Sequence, residues 1–443
     1  MIHKEPLIEV GIMSAEKTDF FLSGSFREKF SEKIFSGKCQ AVLRDKKILL
    51  TNENKTTGPC EKLYFEPVKN NQYFEIKNVT IGKEFHWEQQ EHQQFSGSLK
   101  LLFAENKIYL INILPVEDYL KSVISSEMSP GCPEEFLKTH AVISRSWILS
   151  QILQKEKKQR SEFYQKKNSR EIIKWYDRED HVLFDVCADD HCQRYQGMNR
   201  MKNEKILRAI ESTRGKVLFF KDQICDTRYS KCCGGVTECF ENVWEPVSHP
   251  YLIPVADNEP KKTETPDLRG EHAAKEWILN NPEAFCNTTD KKILSQILKN
   301  YDQAFEHFYR WKQSLTQEQA AIILKKKTGI DFGQILDIVP VERGFSGRLI
   351  RIQIKGSKKT MIFGKELEIR RILSESHLYS SAFIIEKAEI REGVPGKFML
   401  YGAGWGHGVG LCQIGAAMMS KKGYTHLQIL KHYFPGTALR KVY

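Results

Sequence analysis

The stretch LPVEDYLKSVISSEMSPGCP, Leu114 to Pro133, places a carboxyl group at the end of an apolar stripe. On a helix Val116, Leu120 and Val123 share one face at steps of four and three, and Glu127 is the next position on it. A carboxyl that continues an apolar face just before a chain break is poorly solvated. Desolvation disfavours its charged form and raises its pKa, which is what a general acid working near neutral pH needs. The same position would also suit a cap on a neighbouring helix or an ion pair with Arg145. Glu117 and Lys121, four apart, read as a surface pair. Pro133 then opens a second helix with Glu134 and Glu135 in its first turn. That helix carries His140 and Arg145 as side chains that could face a cleft.

Three further stretches hold chemistry. In GAGWGHGVG, Gly402, Gly404, Gly406, Gly408 and Gly410 occupy every second position. An extended strand would put all five on one face, so that something approaches the backbone closely, with Trp405 and His407 on the other. Trp405 offers an aromatic face for a sugar ring and His407 a hydrogen-bonding group beside it; the spacing is not that of a dinucleotide fingerprint. In RYSKCCGGVTECFENVW, Gly234-Gly235 demands a sharp turn, with Ser230, Lys231 and Cys232 presented just before it. A nucleophile there lacks both a GxSxG elbow and an assigned base. In HVLFDVCADDHC, His181, Cys187 and Cys192 leave five and four residues between ligand candidates, with His191 as an extra. Imidazole with thiolate favours zinc in a structural role, with Cys232, Cys233 or Cys239 as sources of a fourth ligand. A Cys187–Cys192 disulfide or plain buried thiols are the alternatives.

The elements that must carry these residues alternate in blocks. Leu7–Met13, Gln40–Thr51, Tyr73–Ile81 and Ser98–Leu110 read as strands, with a hairpin turn at Asn106-Lys107. Helix is expected from about Val116 to Lys174 with a break at Ser129 to Pro133. Strands return near Lys216–Phe220 and Asp226–Ser230, and Asp257–Glu271 has the composition of a linker. A helical block to about Thr328 and strands from Ile335 to Ile385 follow. Gln413–Lys422 reads as a helix, and Thr425 with Gln428 as the capping box of the last one. Blocks without regular βαβ units give an α+β class, a mixed β-rich core with a helical catalytic segment, an N-terminal β module and a helical insertion.

Composition narrows the class further. The chain has 443 residues, 67 Lys and Arg against 56 Asp and Glu, and a net charge of +11, which suits an anionic partner. The excess is partly local: nine basic and five acidic residues interleave from Gln151 to Glu179, as on a solvated helix face. Eleven cysteines spread over this length make no disulfide framework. No apolar run reaches the ~18 residues of a membrane span, so no transmembrane segment is expected. The start, MIHKEPLIEVGIMSAEK, shows no signal peptide. Nucleic acid is not expected as a partner, because no motif accompanies the charge.

Taken in order, these motifs resemble the SpoIID/LytB family of stage II sporulation protein D and the amidase enhancer. The stretches that carry the resemblance are LPVEDYLKSVISSEMSPGCPEEFLKTHAVISRSW, RYSKCCGGVTECFENVWEPVSHPYLIPVADN, SGRLIRIQIKG and GAGWGHGVGLCQIGAAMMSKKGYTHLQILKHYFPGT. They imply residues 1–105 as an N-terminal β-rich extension and 106–443 as a SpoIID-like catalytic domain, with the insertion at about 268–330. The resemblance implies a peptidoglycan lytic transglycosylase that cuts glycan strands, preferably stripped of stem peptides, between N-acetylmuramic acid and N-acetylglucosamine. Glu127 maps to the family's catalytic acid. Arg145, Ser230, Lys231, Gly234, Gly235, Trp405, His407 and Gln413 are the residues expected to bind substrate. Ser129 between Met128 and Pro130, and His140 where Gln is common, depart from the family's pattern. A lone acid can leave 1,6-anhydro ends without consuming water; a hydrolase would need a second carboxylate, for which Asp226 and Glu238 are the nearby candidates. No cofactor is then required for catalysis. A non-catalytic glycan-binding enhancer of a cell-wall amidase is the alternative, and the cell envelope, periplasm or wall, is the implied location.

Overall fold

The computed structural model describes residues 4–53, 55–82, 88–155, 165–175, 181–189, 192–199, 203–259, 264–297 and 307–443. His191 and part of the 151–179 charge run lie outside these. The architecture is α+β and rich in strand.

Ten strands between Leu7 and Pro115, joined by the short Val186–Cys187, make an 11-stranded sheet. Alternation sets its buried face: Phe20, Leu22 and Phe26 on one strand and Phe74 and Ile76 on another are inaccessible or nearly so, while their neighbours are exposed or half-buried. The segment expected as one strand, Gln40–Thr51, is a hairpin of Ile34–Arg44 and Lys47–Asn52, because Asp45 and Lys46 turn the chain at positive φ. The hairpin of Ser98–Ala104 and Lys107–Pro115 turns at Glu105-Asn106, one residue before the expected place; both have φ above +45°, and Lys107 already pairs with Ala104. The boundary expected at 105 thus falls inside a hairpin. Lys107–Pro115 lies between Leu7–Ala15 and Ser98–Ala104, and one continuous core runs from Ile8 to Phe434.

Pro115 ends that strand and starts helix α1 (Val116–Glu127), followed by α2 (Glu134–Lys155). Val116, Leu120 and Val123 are all fully buried, as their stripe requires, but so are Tyr119, Ser122, Ile124 and Ser126 on other faces. The helix is enclosed by the sheet, α2 and the 181–199 segment. Residues 165–174, expected as helix, form the strands Gln165–Lys167 and Glu171–Lys174, which add to the sheet of Ile335–Arg343, Leu349–Gly356 and Thr360–Gly364.

A second core gathers Trp311, Leu324, Phe332, Ile352, Phe363 and Leu400. The segment expected as a helical insertion contains the helices Glu271–Asn280, Lys291–Ile297 and Gln317–Thr328, and also the strand Arg310–Thr316. That strand pairs along its length with Lys397–Ala403, so the segment is woven into the second core. The two parts of the chain meet where Tyr229–Ser230 runs parallel to Leu411–Cys412.

Candidate functional site

Glu127 is the last residue of α1 and only 6% exposed. Its Oε1 accepts the Tyr229 hydroxyl at 3.3 Å and the Arg194 backbone N–H at 3.4 Å. Burial pushes its carboxyl pKa up, as expected from the sequence. The charges of Arg194 and Lys231, with His140 and the Arg194 N–H behind them, outweigh that and hold it below the ordinary glutamate value. The expectation of a raised pKa is therefore corrected: two cations converge on a carboxyl that the helical pattern alone showed in apolar company. In the free protein Glu127 rests as a carboxylate.

Around it stands a small polar cluster. His140, fully buried on α2, sits with Nδ1 3.2 Å from Ser144 Oγ and Nε2 3.2 Å from Gln413 Nε2, and the Tyr229 ring packs against it at 4.7 Å. Burial first, then Lys231, lowers its pKa to about 4, against the opposing pull of Glu127, so the imidazole is neutral at neutral pH. Gln413 begins the helix Gln413–Lys421 and is 1% exposed. Its side chain meets His140, and among the described residues it makes no hydrogen bond to Glu127. Lys231 follows the strand that carries Tyr229, and its carbonyl accepts the Ile414 N–H, which fixes one element of the site against the other. Ser230, beside it, is buried on the strand Tyr229–Ser230.

The 181–199 segment supplies the remaining wall. Val186–Cys187 pairs in parallel with Val10–Gly11 at the sheet edge. Gln193 Oε1 accepts the Tyr119 hydroxyl at 3.2 Å, the Gln196 N–H donates to Ser122 Oγ, and Tyr195 stacks on Tyr119. These contacts seat Arg194 against the end of α1. The same segment brings the ligand atoms of His181, Cys187 and Cys192 within 4.8 Å of one another, with Cys192 Sγ 3.4 Å from His181 Nε2. Two thiols and an imidazole form a donor set suited to zinc. No disulfide joins Cys187 to Cys192. Among the described residues no fourth ligand joins this group, and Cys233, expected as a source of one, belongs to a different cluster.

Several residues expected at the substrate are placed elsewhere. Arg145 is completely buried and forks onto Glu117, Nε to Oε1 at 2.8 Å and Nη2 to Oε2 at 2.7 Å. It is a structural ion pair and cannot reach a glycan. Glu117, expected as a surface partner of Lys121, is 2% exposed; Lys121 pairs with Asp118 instead. Gly234 and Gly235, at φ +82° and +106°, turn under the Trp277 indole, which donates to the Gly234 carbonyl. A side chain at Gly235 would meet that ring at 2.7 Å, so the turn serves packing rather than sugar contact.

The glycine run is not an extended strand. Of its five glycines only Gly402 lies on the strand Lys397–Ala403, and Gly404, Gly406, Gly408 and Gly410 all have φ between +72° and +96°, a region nearly closed to other residues. What approaches the backbone is the buried Arg348 guanidinium. It donates to the carbonyls of Gly406 and Cys233, and its Cζ lies 2.3 Å from where a Cβ on Gly408 would stand. Trp405, the expected sugar platform, is half-buried: it stacks on Tyr379 at 4.1 Å with Phe308 at 4.8 Å. His407 Nδ1 accepts the Val409 N–H at 3.0 Å and its ring packs edge-on to Trp244. Burial, with Arg228, Arg370 and Arg348 nearby, holds its pKa well below the usual value, so it too is neutral.

Neither rival carboxylate is available. Asp226 is bidentate to Arg228, both buried. Glu238 is fully buried and accepts from the Cys239 N–H, Asn242 Nδ2 and the Ser346 hydroxyl. A cavity of about 320 Å³ lined by Ile278, Tyr309, Arg310, Trp311 and Tyr401 lies in the second core region, and Glu127 is not among its lining residues. Tyr229 and Arg194 are the members of the cluster that sequence reasoning missed. Tyr229 was signalled only by standing next to Ser230 and Lys231, and Arg194 had no motif of its own.

Comparison with known proteins matches this layout. A family model described as stage II sporulation protein covers residues 104–220, and a model of a domain of unknown function covers 238–410. The chain is 26% identical to an uncharacterized protein of Brachyspira hyodysenteriae over 343 residues, 77% of this chain and 71% of that one. It is 23% identical to stage II sporulation protein D of Bacillus subtilis over 328 residues, 74% of each. It is 28% identical to the amidase enhancer of the same organism over 246 residues, 54% of this chain but a third, 33%, of that protein's length. Over residues 104–220 the chain matches the stage II sporulation protein family, and over longer spans it is similar to stage II sporulation protein D and the amidase enhancer.

Proposed function

We propose that this chain is a peptidoglycan lytic transglycosylase acting on denuded glycan strands, with Glu127 as the single acid and base. The observation that supports it is that Glu127 is held in a polar cluster while both neighbouring carboxylates, Asp226 and Glu238, are locked by other partners. One carboxyl is enough for an intramolecular reaction. Protonated Glu127 gives its proton to the glycosidic oxygen between N-acetylmuramic acid and N-acetylglucosamine as that C–O bond breaks. The sugar's own O6 hydroxyl attacks C1, and its proton passes to the Glu127 carboxylate. A 1,6-anhydro end forms, the acid is restored, and water is not consumed. The Tyr229 hydroxyl orients the carboxyl throughout.

The resting carboxylate must take up a proton before the first step. Lactyl carboxylates on the bound strand give Lys231 and Arg194 other anions to serve, which weakens their hold on Glu127 and raises its pKa in the complex. This makes a pH prediction with a definite sign. The free-enzyme kcat/KM falls as pH rises through a Glu127 pKa lying below the ordinary glutamate value. Lys231→Met removes one cation, favours the neutral carboxyl and moves that limb to higher pH. An unmoved limb in a folded Lys231→Met protein would separate Lys231 from the acid.

A second reading has its own support. A buried carboxylate whose pKa is depressed is also what a non-catalytic site would show, and one relative is an amidase enhancer. Under that reading the purified protein binds denuded glycan and stimulates a cell-wall amidase but releases no new anhydro ends by mass spectrometry. Under the first reading those ends appear with no amidase present. Either activity assigns the protein to the cell envelope; among the described residues no helix is long and apolar enough to cross a membrane.

His181, Cys187 and Cys192 complete the proposal as the ligands of a structural zinc ion. The ion would tie the start of the segment to the strand and turn that lead into Arg194. Protein purified without chelator is expected to lose one equivalent of zinc on Cys187→Ser, and zinc content unchanged by that substitution would dismiss this site.

A further inference from the structure

Cys233, Asp257, Cys286 and Cys412 are all buried, and one ligand atom from each lies within 4.8 Å of the other three. They come from four separate places in the chain: the Gly234-Gly235 turn, the end of the segment that follows it, the loop after the helix Glu271–Asn280, and the N-cap of the helix Gln413–Lys421. Sequence spacing therefore gave no sign of them as a set. Cys233 Sγ and Cys286 Sγ stand 3.7 Å apart. Two sulfurs each ~2.3 Å from a tetrahedral zinc ion are ~3.8 Å apart, whereas a disulfide needs ~2.05 Å.

The surroundings are those of a ligand shell. Cys412 Sγ accepts two backbone N–H groups, from Cys233 at 3.2 Å and Gly415 at 3.5 Å. Such bonds stabilise a thiolate and fix its direction. Asp257 is held from both sides: the Tyr433 hydroxyl donates to Oδ1 and the Cys286 N–H to Oδ2 at 2.8 Å. Gly415 is the residue that leaves room, since a Cβ there would stand 2.3 Å from Asp257 Oδ1. Among the described residues no lysine or arginine forms an ion pair with Asp257, although it is 0% exposed. Buried acids and thiols packed together without a cation are costly, and a divalent ion removes that cost.

We propose that Cys233, Asp257, Cys286 and Cys412 bind a zinc ion in a closed, structural site, distinct from His181, Cys187 and Cys192. Three thiolates select a soft divalent metal, and four protein ligands leave no open position for chemistry. The ion pins the segment that precedes the second core to the start of the helix Gln413–Lys421. It also fixes the strand next to Lys231, whose carbonyl is the acceptor of the Ile414 N–H. The proposal stands on this geometry and does not depend on the catalytic reading.

Metal analysis of the full chain, purified from zinc-supplemented medium without chelator, separates the two sites. Cys286→Ser is expected to lose one equivalent of zinc relative to the parent, and Cys187→Ser to keep the equivalent that Cys286→Ser loses. Zinc content unchanged by Cys286→Ser would overturn the site. Because a core substitution can unfold the chain, the second arm leaves the cluster intact. Cys187→Ser protein, stripped of metal and titrated with cobalt(II), should take up one ion and develop thiolate-to-cobalt charge-transfer absorption. Absence of those bands, or recovery of a Cys233–Cys286 disulfide when freshly purified protein is alkylated under denaturing, non-reducing conditions, overturns the assignment.

Discussion

Glu127→Gln is expected to leave the chain folded and to lower release of 1,6-anhydro ends by about 10²–10⁴-fold, the range general acid–base groups contribute. Glutamine matches glutamate in shape and still offers an oxygen to the Tyr229 hydroxyl and the Arg194 N–H, the two donors at Oε1. What it cannot do is hand over a proton and take one back. Glu127→Ala should lose as much activity, and it also strips Arg194 and Lys231 of the anion they face. Mass spectrometry of glycan digested by each variant, with circular dichroism as the folding control, is the measurement. Anhydro products at the parent rate from Glu127→Gln would remove this carboxyl from the mechanism. Loss of products with retained amidase stimulation would show that the two proposed activities reside in separable features of one fold.

How far such a site can be read from sequence depends on whether its partners are local. The stripe Val116, Leu120, Val123, Glu127 obeys helical periodicity, and the helix, its end and the burial of Glu127 follow from it. The sign of the pKa shift does not, because it is decided by Arg194 and Lys231, 67 and 104 positions further along the chain. Val186–Cys187 shows the same limit: two residues paired with the first strand of the sheet hold the wall of the site, too short a strand for any pattern to mark. His181, Cys187 and Cys192 were visible as a group because they sit within one short stretch, and the cluster around Asp257 was not.

The glycine run teaches a different lesson. Alternate glycines suggest an extended strand with one bare face, and the inference of a close approach to the backbone holds. The conformation does not, because the four glycines after Ala403 occupy positive φ instead of extended backbone, and the approaching group is the buried Arg348 rather than a ligand. Period-2 spacing reports where side chains are excluded. It does not report what excludes them.

Arg145→Ala should be the most damaging of these substitutions for stability, costing about 3–5 kcal/mol, the usual effect of removing one partner from a buried ion pair. Arg145 donates to both oxygens of Glu117 and to the carbonyls of Thr213 and Lys216. Glu117 Oε1 also accepts the Gly215 N–H and the Tyr443 hydroxyl. The pair thus joins both central helices to the turn after the helix Glu204–Ser212 and to the last residue of the chain. Alanine would leave a carboxylate with 2% exposure facing a void and two carbonyls without their donor. Lysine restores the charge but not the planar fork, so Arg145→Lys should recover only part of the loss. Burial pushes the Glu117 pKa up, but Arg145, Tyr443 and Gly215 outweigh it and hold it below the ordinary value. A depressed carboxyl contributes stability above its unfolded pKa and loses it as pH falls, so the parent should weaken on acidification. Urea denaturation of the three proteins measures the stability difference. In the double variant Glu117→Gln/Arg145→Met the cost should fall well short of the sum of the singles, because no unpaired charge remains buried. A substrate-binding arginine behaves oppositely: Arg145→Ala would raise KM and leave the denaturation midpoint where it was. That outcome would restore the role the sequence suggested and contradict the buried geometry.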